Sequence, residues 1–345
     1  MHSKKRAKII NDPIYGFIEV DKGIINDLIN HKYFQRLRRI SQLGLSYLVY
    51  PGAQHTRFQH AIGSLHLMNK ALNQLENKGH KISKQEKEGV KIAILLHDIG
   101  HCPFSHALER TIVKDISHEQ LTLIYMHKLN EKFNGKLSLA IKIFENKYER
   151  KFLNQLVSSQ LDMDRLDYLK RDSFFTGVTE GNIGVDRIIS MLDIKDDRLV
   201  IEEKGIYSIE KFIIARRLMY WQVYLHKTVL SAENMLIQIL NRAKYLYENS
   251  KKIYISPDLK RFFKNSFSFN DFINDDSILE NFSRLDDYEI YACLKYWIKN
   301  EDFVLSNLSQ KILERDILKI RIQKTKFNKK MISKYRSNMM KKENI

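Results

Sequence analysis

The chain has 345 residues, 43% of them hydrophobic, which is enough to bury a large core in one big domain or two moderate ones. With only 4 prolines and 13 glycines, and with Leu, Ile, Lys and Glu recurring at helical spacing, the sequence excludes a disordered chain and predicts a mainly helical protein with little sheet. Its two cysteines form no CxxC pair, which excludes a disulfide framework, a zinc finger and a thioredoxin-like motif.

The formal net charge of +17 is concentrated at the two ends of the chain. Residues 1–8 carry four basic and no acidic side chains, and residues 311–345 carry twelve basic and three acidic ones, which leaves +4 for residues 9–310. These ends can contact phosphates, a protein partner or only water. Neither a signal-peptide h-region nor a run of about 18 apolar residues occurs, so we expect a soluble, cytoplasmic protein without membrane contact.

The N-terminal half predicts a short strand followed by helices. Asn11-Asp-Pro13 indicates a turn, and residues 15–20 are predicted to form a strand. A helix is predicted to begin at about Ile24. Residues 33–40 form a basic helical segment, and residues 43–52 an aromatic loop. Apolar periodicity then predicts helices over residues 60–78, 84–99, 105–113, 117–133, 137–145 and 153–171.

The C-terminal half is predicted to be less regular. Residues 176–184 are predicted to form a loop. Residues 198–202 are predicted to form a hairpin with residues 205–207. Ser208 is predicted to cap a long helix that runs through Tyr224 and beyond. Residues 256–287 are polar, Phe-rich and irregular, and a last part with helix and strand ends near Ile322.

A histidine and an aspartate lie at the end of a buried helix. The run Val90-Lys-Ile-Ala-Ile-Leu-Leu96 contains mainly apolar residues and is followed directly by His97-Asp98. An imidazole and a carboxylate in such a place need a polar partner, and a metal ion meets that need. Two ligands alone are weak evidence, because HD dipeptides also arise by chance.

Two further ligands occur in the order of a known signature. His60 lies upstream in Arg57-Phe-Gln-His60, and Asp164 lies downstream in Asp162-Met-Asp164. The set His60, His97, Asp98 and Asp164 resembles the H…HD…D signature of the HD-domain phosphohydrolases. The donors suit Mn, Mg, Fe, Ni or Zn, so the identity of the divalent metal stays open.

Longer motifs are similar to those of the deoxynucleoside-triphosphate (dNTP) triphosphohydrolases of this superfamily. They are residues 10–16, 34–44, 50–60, 97–106, 162–172, 224–227, 285–288 and 315–319. The resemblance implies a mainly α fold, with an HD-domain helical core, a few short β-hairpins and a smaller mixed C-terminal region. The predicted organisation is a basic N-terminal end (1–10), a catalytic domain (11–250), a mixed helical and strand region that packs on the core (251–322) and a basic tail (323–345), and the two ends lie outside the resemblance.

Four residues are predicted to serve catalysis. Glu109 follows His106 by three residues, so that on one helix face its carboxylate orients the imidazole as a general acid. By resemblance, His101, His106 and His118 are catalytic-pocket histidines, and Glu109 replaces a usual Asp.

The resemblance also implies the substrate contacts. For the triphosphate they are Arg57, Arg165, Arg216 and Lys227, with Tyr224 as a hydrogen-bonding neighbour. For the deoxyribose they are Gln42, Leu43, Tyr168 and Asp172, which close the 2′ side and so reject ribonucleotides. The alternative for each cation is an ion pair with a nearby helix, above all for Arg165 beside Asp164.

A nucleotide effector site is implied at a subunit interface of a homo-oligomer, a dimer or a tetramer. Its residues by resemblance are Asn11, Gln35, Arg38, Arg315 and Lys319. Asn30 stands where an acidic base-reading residue is expected, which argues against guanine selectivity.

The predicted function is metal-dependent hydrolysis of a dNTP to deoxynucleoside and inorganic triphosphate, with nucleotide-regulated oligomeric activity. One alternative is a phosphodiesterase or nuclease that acts on oligonucleotides or cyclic nucleotides. Another is a nucleotide-sensing or nucleic-acid-binding protein that uses the basic tail.

Overall fold

The chain forms mainly α-helices with two short antiparallel hairpins in the computed structural model, which describes residues 8–113 and 115–342. The predicted helical class with a few small hairpins is therefore confirmed. Most of the predicted basic N-terminal end, residues 1–7, and the last three residues of the predicted tail lie outside the described residues.

The helices of the N-terminal half are α1 (Ile24–Asn30), α2 (Lys32–Gln35), α3 (Arg57–Asn77), α4 (Lys84–Leu96), α5 (Glu109–Ile112), α6 (His118–Lys132), α7 (Ser138–Phe144), α8 (Lys151–Val157) and α9 (Met163–Thr176). Those of the C-terminal half are α10 (Val185–Ser190), α11 (Ile206–Met219), α12 (Lys227–Glu248), α13 (Pro257–Lys264), α14 (Phe269–Asn274), α15 (Asp276–Arg284), α16 (Asp287–Trp297), α17 (Phe303–Leu313) and α18 (Lys329–Lys342). Single turns of 3-10 helix cover Arg36–Arg39, Gly44–Leu48, Ser105–Ala107, Thr179–Gly181 and Glu203–Gly205.

The first hairpin pairs β1 (Lys8–Asp12) with β2 (Gly16–Val20). The carboxylate of Asp12 accepts the backbone N–H groups of Ile14 at 2.9 Å and Tyr15 at 3.1 Å, which closes the predicted turn. The predicted strand is confirmed as β2, whereas its partner β1 was not predicted.

The second hairpin differs from the prediction. Strand β4 (Arg198–Ile201) pairs with β3 (Leu192–Lys195) and not with residues 205–207, which end a 3-10 turn at Gly205 and begin α11 at Ile206. Asp196 and Asp197 join the two strands with φ angles of 50° and 58°, which suits a tight turn between twisted strands. The assigned partner was wrong because these aspartates were not recognised as turn residues.

Three helices bring the polar residues of the predicted metal site together. Helix α3 packs against both α4 and α9, and α4 is buried from Ile92 to Leu96. Gly63 on α3 permits the close approach, because a Cβ atom there would lie 2.0 Å from Asp167 Oδ1 and 2.2 Å from Arg171 Nη2. Any side chain at position 63 would displace the Asp167 carboxylate and the Arg171 guanidinium group of α9.

Helices α8 and α9 replace the single helix predicted over residues 153–171. The break falls at residues 158–162, where Asp162 caps α9 by accepting the N–H of Arg165 at 2.7 Å. Its other oxygen accepts the N–H of Ser159, also at 2.7 Å. This cap determines where α9 begins and therefore where Asp164 lies.

The long helix predicted from Ser208 is also divided. Helix α11 already begins at Ile206, so Ser208 lies inside its first turn and is not the cap. A π-helical turn over Tyr220–Tyr224 follows α11 directly, and α12 starts after a break at Leu225 and His226.

The C-terminal region is more regular than predicted. Residues 257–284 form α13, α14 and α15, and no residue from 251 to 342 lies in a strand. The polar residues of this segment are helix caps, such as Ser268, which accepts the N–H of Asp271 at 3.3 Å. The phenylalanines are buried anchors, so helices this short show no clear periodicity in the sequence.

Asp287 connects this region to the core. Its two carboxylate oxygens accept the backbone N–H of Phe104 at 2.6 Å and that of Ser41 at 2.8 Å. Phe104 and Ser105 both have left-handed φ angles, 55° and 57°, which a non-glycine residue adopts only when its surroundings impose them. The predicted basic tail carries α18, and no helix among residues 8–113 and 115–342 is long and apolar enough to cross a membrane.

Candidate metal centre and substrate cleft

Four side chains converge from the ends of three helices. His60 lies in the first turn of α3, His97 and Asp98 directly follow α4, and Asp164 lies in the first turn of α9. The Nε2 atoms of His60 and His97 are 3.2 Å apart, and Asp164 Oδ1 is 3.1 Å from the first and 3.5 Å from the second. Asp98 Oδ1 is 3.4 Å from Nε2 of His97. The structure thus brings together all four predicted ligands.

The hydrogen bonds of the two imidazoles show that this group fits a metal ion. His97 Nδ1 lies 2.6 Å from the carbonyl oxygen of Ile94 and must donate, because a carbonyl only accepts. His60 Nδ1 donates to Asp167 Oδ2 at 2.8 Å. Both inner Nε2 atoms therefore offer lone pairs toward each other and toward Asp164, which is stable only with positive charge between them. A divalent cation supplies that charge.

The pKa shifts of His60 and Asp164 also indicate that this group of side chains favours positive charge. Burial alone would lower the pKa of His60, but its hydrogen bonds with Asp164 and Asp167 raise the pKa to about 10. Burial would likewise raise the pKa of Asp164, yet the two histidines hold it below its usual range. A proton that occupies this cluster has to leave when a metal ion binds.

A buried ion network behind His60 was not predicted. Arg171 donates to Asp167 from Nε at 2.9 Å and from Nη2 at 3.0 Å, and its Nη1 donates to Asp12 at 2.8 Å. Burial would raise the pKa of Asp167, but Arg171 and His60 lower it to about 2. Asp167 stays ionised and fixes the tautomer and the orientation of His60.

Arg57 is engaged on the other side of the centre. Its Nη1 pairs with Asp98 Oδ2, and its Nε donates to Ser105 Oγ at 2.7 Å. Burial would raise the pKa of Asp98, but Arg57 holds it well below its usual range. Arg57 therefore forms the ion pair that was the alternative to a substrate contact, although it also lines the cleft described next.

A cleft of about 340 Å³ lies beside the four ligands. Nine of its ten lining residues belong to the predicted site, and the tenth, Tyr220, does not. The predicted residues are Gln42, Leu43, Arg57, His106, Arg165, Tyr168, Asp172, Arg216 and Tyr224. Of the predicted substrate residues, Lys227 alone is absent from this lining; it is exposed at the start of α12.

Asp172, a predicted sugar contact, lies at the centre of a hydrogen-bonded group. Tyr224 donates from its hydroxyl to Asp172 Oδ2 at 2.7 Å, and His55 Nε2 lies 2.7 Å from Asp172 Oδ1. The ring of Tyr168 meets that of Tyr224 edge-on at 6.1 Å. His55 stacks on Phe175 at 4.5 Å and was not predicted, although it lies within the motif of residues 50–60.

The two other cleft arginines have few strong partners. Arg165 Nη1 is 3.4 Å from Asp162 and 4.0 Å from Asp164, which are long contacts for ion pairs. Arg216 donates to the neutral side chain of Gln160 at 3.2 Å. The ion pairs that were the alternative to a substrate contact are thus weak for Arg165. Both guanidinium groups can bind an anion in the cleft.

The predicted catalytic residues also lie together. The carboxylate of Glu109 is 3.4 Å from Nδ1 of His106 and 3.0 Å from Nδ1 of His118. Burial would raise the pKa of Glu109, but these histidines lower it. His106 and Glu109 do not share one helix as predicted, because His106 lies in a 3-10 turn and Glu109 begins α5. The longer side chain of Glu nevertheless reaches both imidazoles.

The predicted effector residues lie in two groups. Gln35 accepts from Arg38 Nε at 2.9 Å, and Asn11 belongs to β1. Arg315 donates from Nε to the carbonyl of Leu48 at 2.6 Å, while Lys319 lines a second cleft beside α18. Among the described residues, no hydrogen bond or ion pair joins the first group to the second.

Two histidines and two aspartates at the ends of packed helices define a class of metal-dependent hydrolases. Residues 57–172 match the HD domain family, and residues 183–255 match the HD associated region. The uncharacterized protein YwfO of Bacillus subtilis is 33% identical over 317 residues, which cover 90% of this chain and 71% of that protein. The chain belongs to the HD-domain phosphohydrolase superfamily and binds a divalent metal as its members do.

Two further comparisons refine this assignment. A crystal structure of a phosphohydrolase from Bacteroides thetaiotaomicron matches with a TM-score of 0.96 and 54% identity, over 99% of this chain and 84% of that one. The deoxynucleoside triphosphate triphosphohydrolase SAMHD1 homolog of Dictyostelium discoideum is 32% identical over 270 residues, 73% of this chain and 52% of that protein. The chain is thus similar to the dNTP triphosphohydrolases within its superfamily.

The role of Asp167 can be tested by replacement with Asn. Asp167→Asn keeps the shape of the side chain but removes the charge that orients His60 and pairs with Arg171. Loss of such an outer partner typically weakens metal binding about 10- to 100-fold, so we expect the Kd for Mn²⁺, measured by isothermal titration calorimetry, to rise by that factor. Asp186→Asn, which removes an exposed ion pair with Lys70, is the matched control. Equal Mn²⁺ affinity in both variants would contradict this role.

Proposed function

We propose that this protein hydrolyses dNTPs to deoxynucleoside and inorganic triphosphate. The observation that carries the proposal is the cleft beside the four metal ligands, because it combines two kinds of lining. The guanidinium groups of Arg57, Arg165 and Arg216 suit a triphosphate. The remaining side suits a sugar and is formed by Gln42, Leu43, Tyr168, Asp172 and Tyr224.

The sugar side supports selection against a 2′ hydroxyl. Asp172 is held by Tyr224 and His55, so its position is determined before substrate binds. Burial raises the pKa of both Tyr168 and Tyr224, so these phenols stay neutral. In the proposed complex the rings of Tyr168 and Tyr224 close the 2′ side of the sugar and so disfavour an additional hydroxyl, while Asp172 accepts a hydrogen bond from the 3′ hydroxyl.

The reaction breaks the bond between the α-phosphorus and O5′ and forms one between that phosphorus and a water oxygen. The divalent metal, of which Mn, Mg, Fe, Ni and Zn fit the donors, supplies Lewis-acid polarisation and activation of water when bound. Arg165 and Arg216 compensate the negative charge of the triphosphate. Arg57 holds Asp98 and lines the same cleft, so it can add a further contact.

His106 is the proposed general acid. Its imidazole lines the cleft and is 66% exposed, and its Nδ1 faces the carboxylate of Glu109. An imidazolium held in this way can donate its Nε2 proton to the departing O5′. His118 shares Glu109, and His101 packs behind both rings, so that these residues position His106.

Nucleotide regulation and self-association are part of the proposal. The predicted effector residues come from two distant parts of the sequence, and a dimer or tetramer can bring them together across a subunit interface. Exposed apolar side chains at seven-residue spacing support self-association, since they form a stripe along one face: Ile206, Tyr207, Ile213, Ile214, Tyr220 and Trp221. Nucleic-acid binding by the basic tail stays a prediction, as does a cytoplasmic location.

The central test resolves the products. Purified protein with Mn²⁺ or Mg²⁺ is incubated with each of the four dNTPs, with and without a second nucleotide, and products are separated by ion-exchange chromatography. We expect deoxynucleoside and inorganic triphosphate in equal amounts, and at least a 100-fold loss of rate in Asp98→Ala, which removes a predicted ligand. Nucleoside monophosphate as the product, or cleavage of a labelled oligonucleotide alone, would favour the phosphodiesterase or nuclease alternative.

The contribution of Tyr224 can be measured separately. Tyr224→Phe removes the hydroxyl that donates to Asp172 and leaves the ring in place. A hydrogen bond to a charged group contributes about 1.5–3 kcal/mol, so kcat/KM for dNTPs should fall about 10- to 100-fold. Tyr296→Phe changes a tyrosine of α16 that is 59% exposed and serves as the control. The assigned role of Tyr224 is wrong if both variants keep the kcat/KM of the unmodified protein.

A further inference from the structure

Three histidines next to the four-ligand centre form a second compact cluster. The ring centroids of His101 and His118 are 4.1 Å apart, those of His101 and His106 4.9 Å, and those of His106 and His118 5.0 Å. One possible ligand nitrogen from each lies within 4.8 Å of the others. This spacing is small enough for one cation to contact all three rings.

The Nδ1 atom of each ring has a hydrogen-bond partner, so Nε2 is the ring nitrogen left to bind a cation, and that of His118 also lies 3.4 Å from Glu119 Oε1. His101 Nδ1 is 3.2 Å from the carbonyl oxygen of Asp98 and therefore donates. The Nδ1 atoms of His106 and His118 donate to the Glu109 carboxylate. Each Nε2 then carries a lone pair. A carboxylate or carbonyl behind each imidazole is the arrangement that orients histidines toward a metal ion.

The third observation concerns His101. This residue is 1% exposed, and its Nε2 is buried without a hydrogen-bond partner. A buried acceptor without a partner destabilises the folded protein, so a group that fills this position stabilises the site. Glu119 adds a nearby negative charge, since its Oε1 is 3.4 Å from Nε2 of His118.

We propose that His101, His106 and His118 form a second cation site, which takes a transition-metal ion of the Zn²⁺, Ni²⁺ or Co²⁺ type. Three imidazole nitrogens as donors favour these ions over Mg²⁺, which prefers oxygen ligands. Three protein ligands also leave one position of a tetrahedron open to water or a phosphate oxygen. The site differs from the first centre, in which two carboxylates accompany two imidazoles.

Occupation of this second site inhibits hydrolysis. A cation on Nε2 of His106 takes the lone pair that must carry the proton for O5′, so His106 can no longer act as the general acid. This consequence rests on the proposed function, whereas the binding of the cation does not. The test therefore measures binding without any nucleotide.

The experiment titrates metal-free protein with Co²⁺ and Zn²⁺ and determines bound metal per chain after desalting. We expect two equivalents for the unmodified protein and one for His106→Ala, whose side chain is 66% exposed, so that its loss leaves the core intact. His97→Ala should also bind one equivalent, through the three-histidine site alone. His127→Ala, which removes an exposed histidine from α6, is the matched control and should bind two.

The visible absorption of Co²⁺ identifies which site is filled. A spectrum typical of tetrahedral nitrogen ligation should persist in His97→Ala and vanish in His106→Ala. The proposal is overturned if the unmodified protein binds a single equivalent, or if His106→Ala retains both equivalents. Neither result depends on whether dNTPs are substrates, so failure here leaves the proposed function to its own assay.

Discussion

The need for positive charge between His60, His97, Asp98 and Asp164 determines the rest of this structure. His60 and His97 each donate a hydrogen bond outward from Nδ1, so the lone pair of each Nε2 atom points inward. The two Nε2 atoms are 3.2 Å apart and lie beside two carboxylates. Such a group cannot be buried without a proton or a cation. The packing of α3, α4 and α9 therefore holds the charged side chains of a candidate metal site in the interior, where apolar side chains are ordinarily buried.

Several features stabilise this group from outside. Arg171 neutralises both Asp167 and Asp12, and so ties α9 to the first hairpin and to the back of His60. Arg57 does the same for Asp98 on the cleft side. The C-terminal region contributes through Asp287, which holds the left-handed backbone at Phe104 and thereby the turn that carries His106. The position of the proposed general acid His106 thus depends on a residue nearly 200 positions away in sequence.

The sequence allowed the helical class, the four converging polar side chains and most of the lining of the cleft to be predicted, because these features follow from local pattern and from ordered motifs. Apolar periodicity located α3 and α4 to within a few residues, and the motif of residues 162–172 located Asp164, Tyr168 and Asp172. Asp167 and Arg171 were missed, although Asp167 follows Asp164 by three residues and Arg171 follows Asp167 by four, spacings that place them on adjoining parts of one helix face.

Other features depend on contacts between distant segments and were not accessible from one sequence. The partner of β4 was assigned wrongly because the turn at Asp196 and Asp197 was not recognised. Both residues have positive φ angles, and two aspartates do not by themselves specify that conformation. The short C-terminal helices are defined by their caps and by buried phenylalanines, which a periodicity argument does not detect. The carboxylate of Glu109 was expected to orient one imidazole, whereas the fold places it between two.

The most direct test of this account is anomalous X-ray diffraction from crystals of the protein saturated with Mn²⁺. The account predicts a strong Mn peak enclosed by Nε2 of His60, Nε2 of His97 and the carboxylates of Asp98 and Asp164, with both Nδ1 hydrogen bonds retained. A Mn peak away from these four side chains, or no peak between them at saturating Mn²⁺, would contradict it.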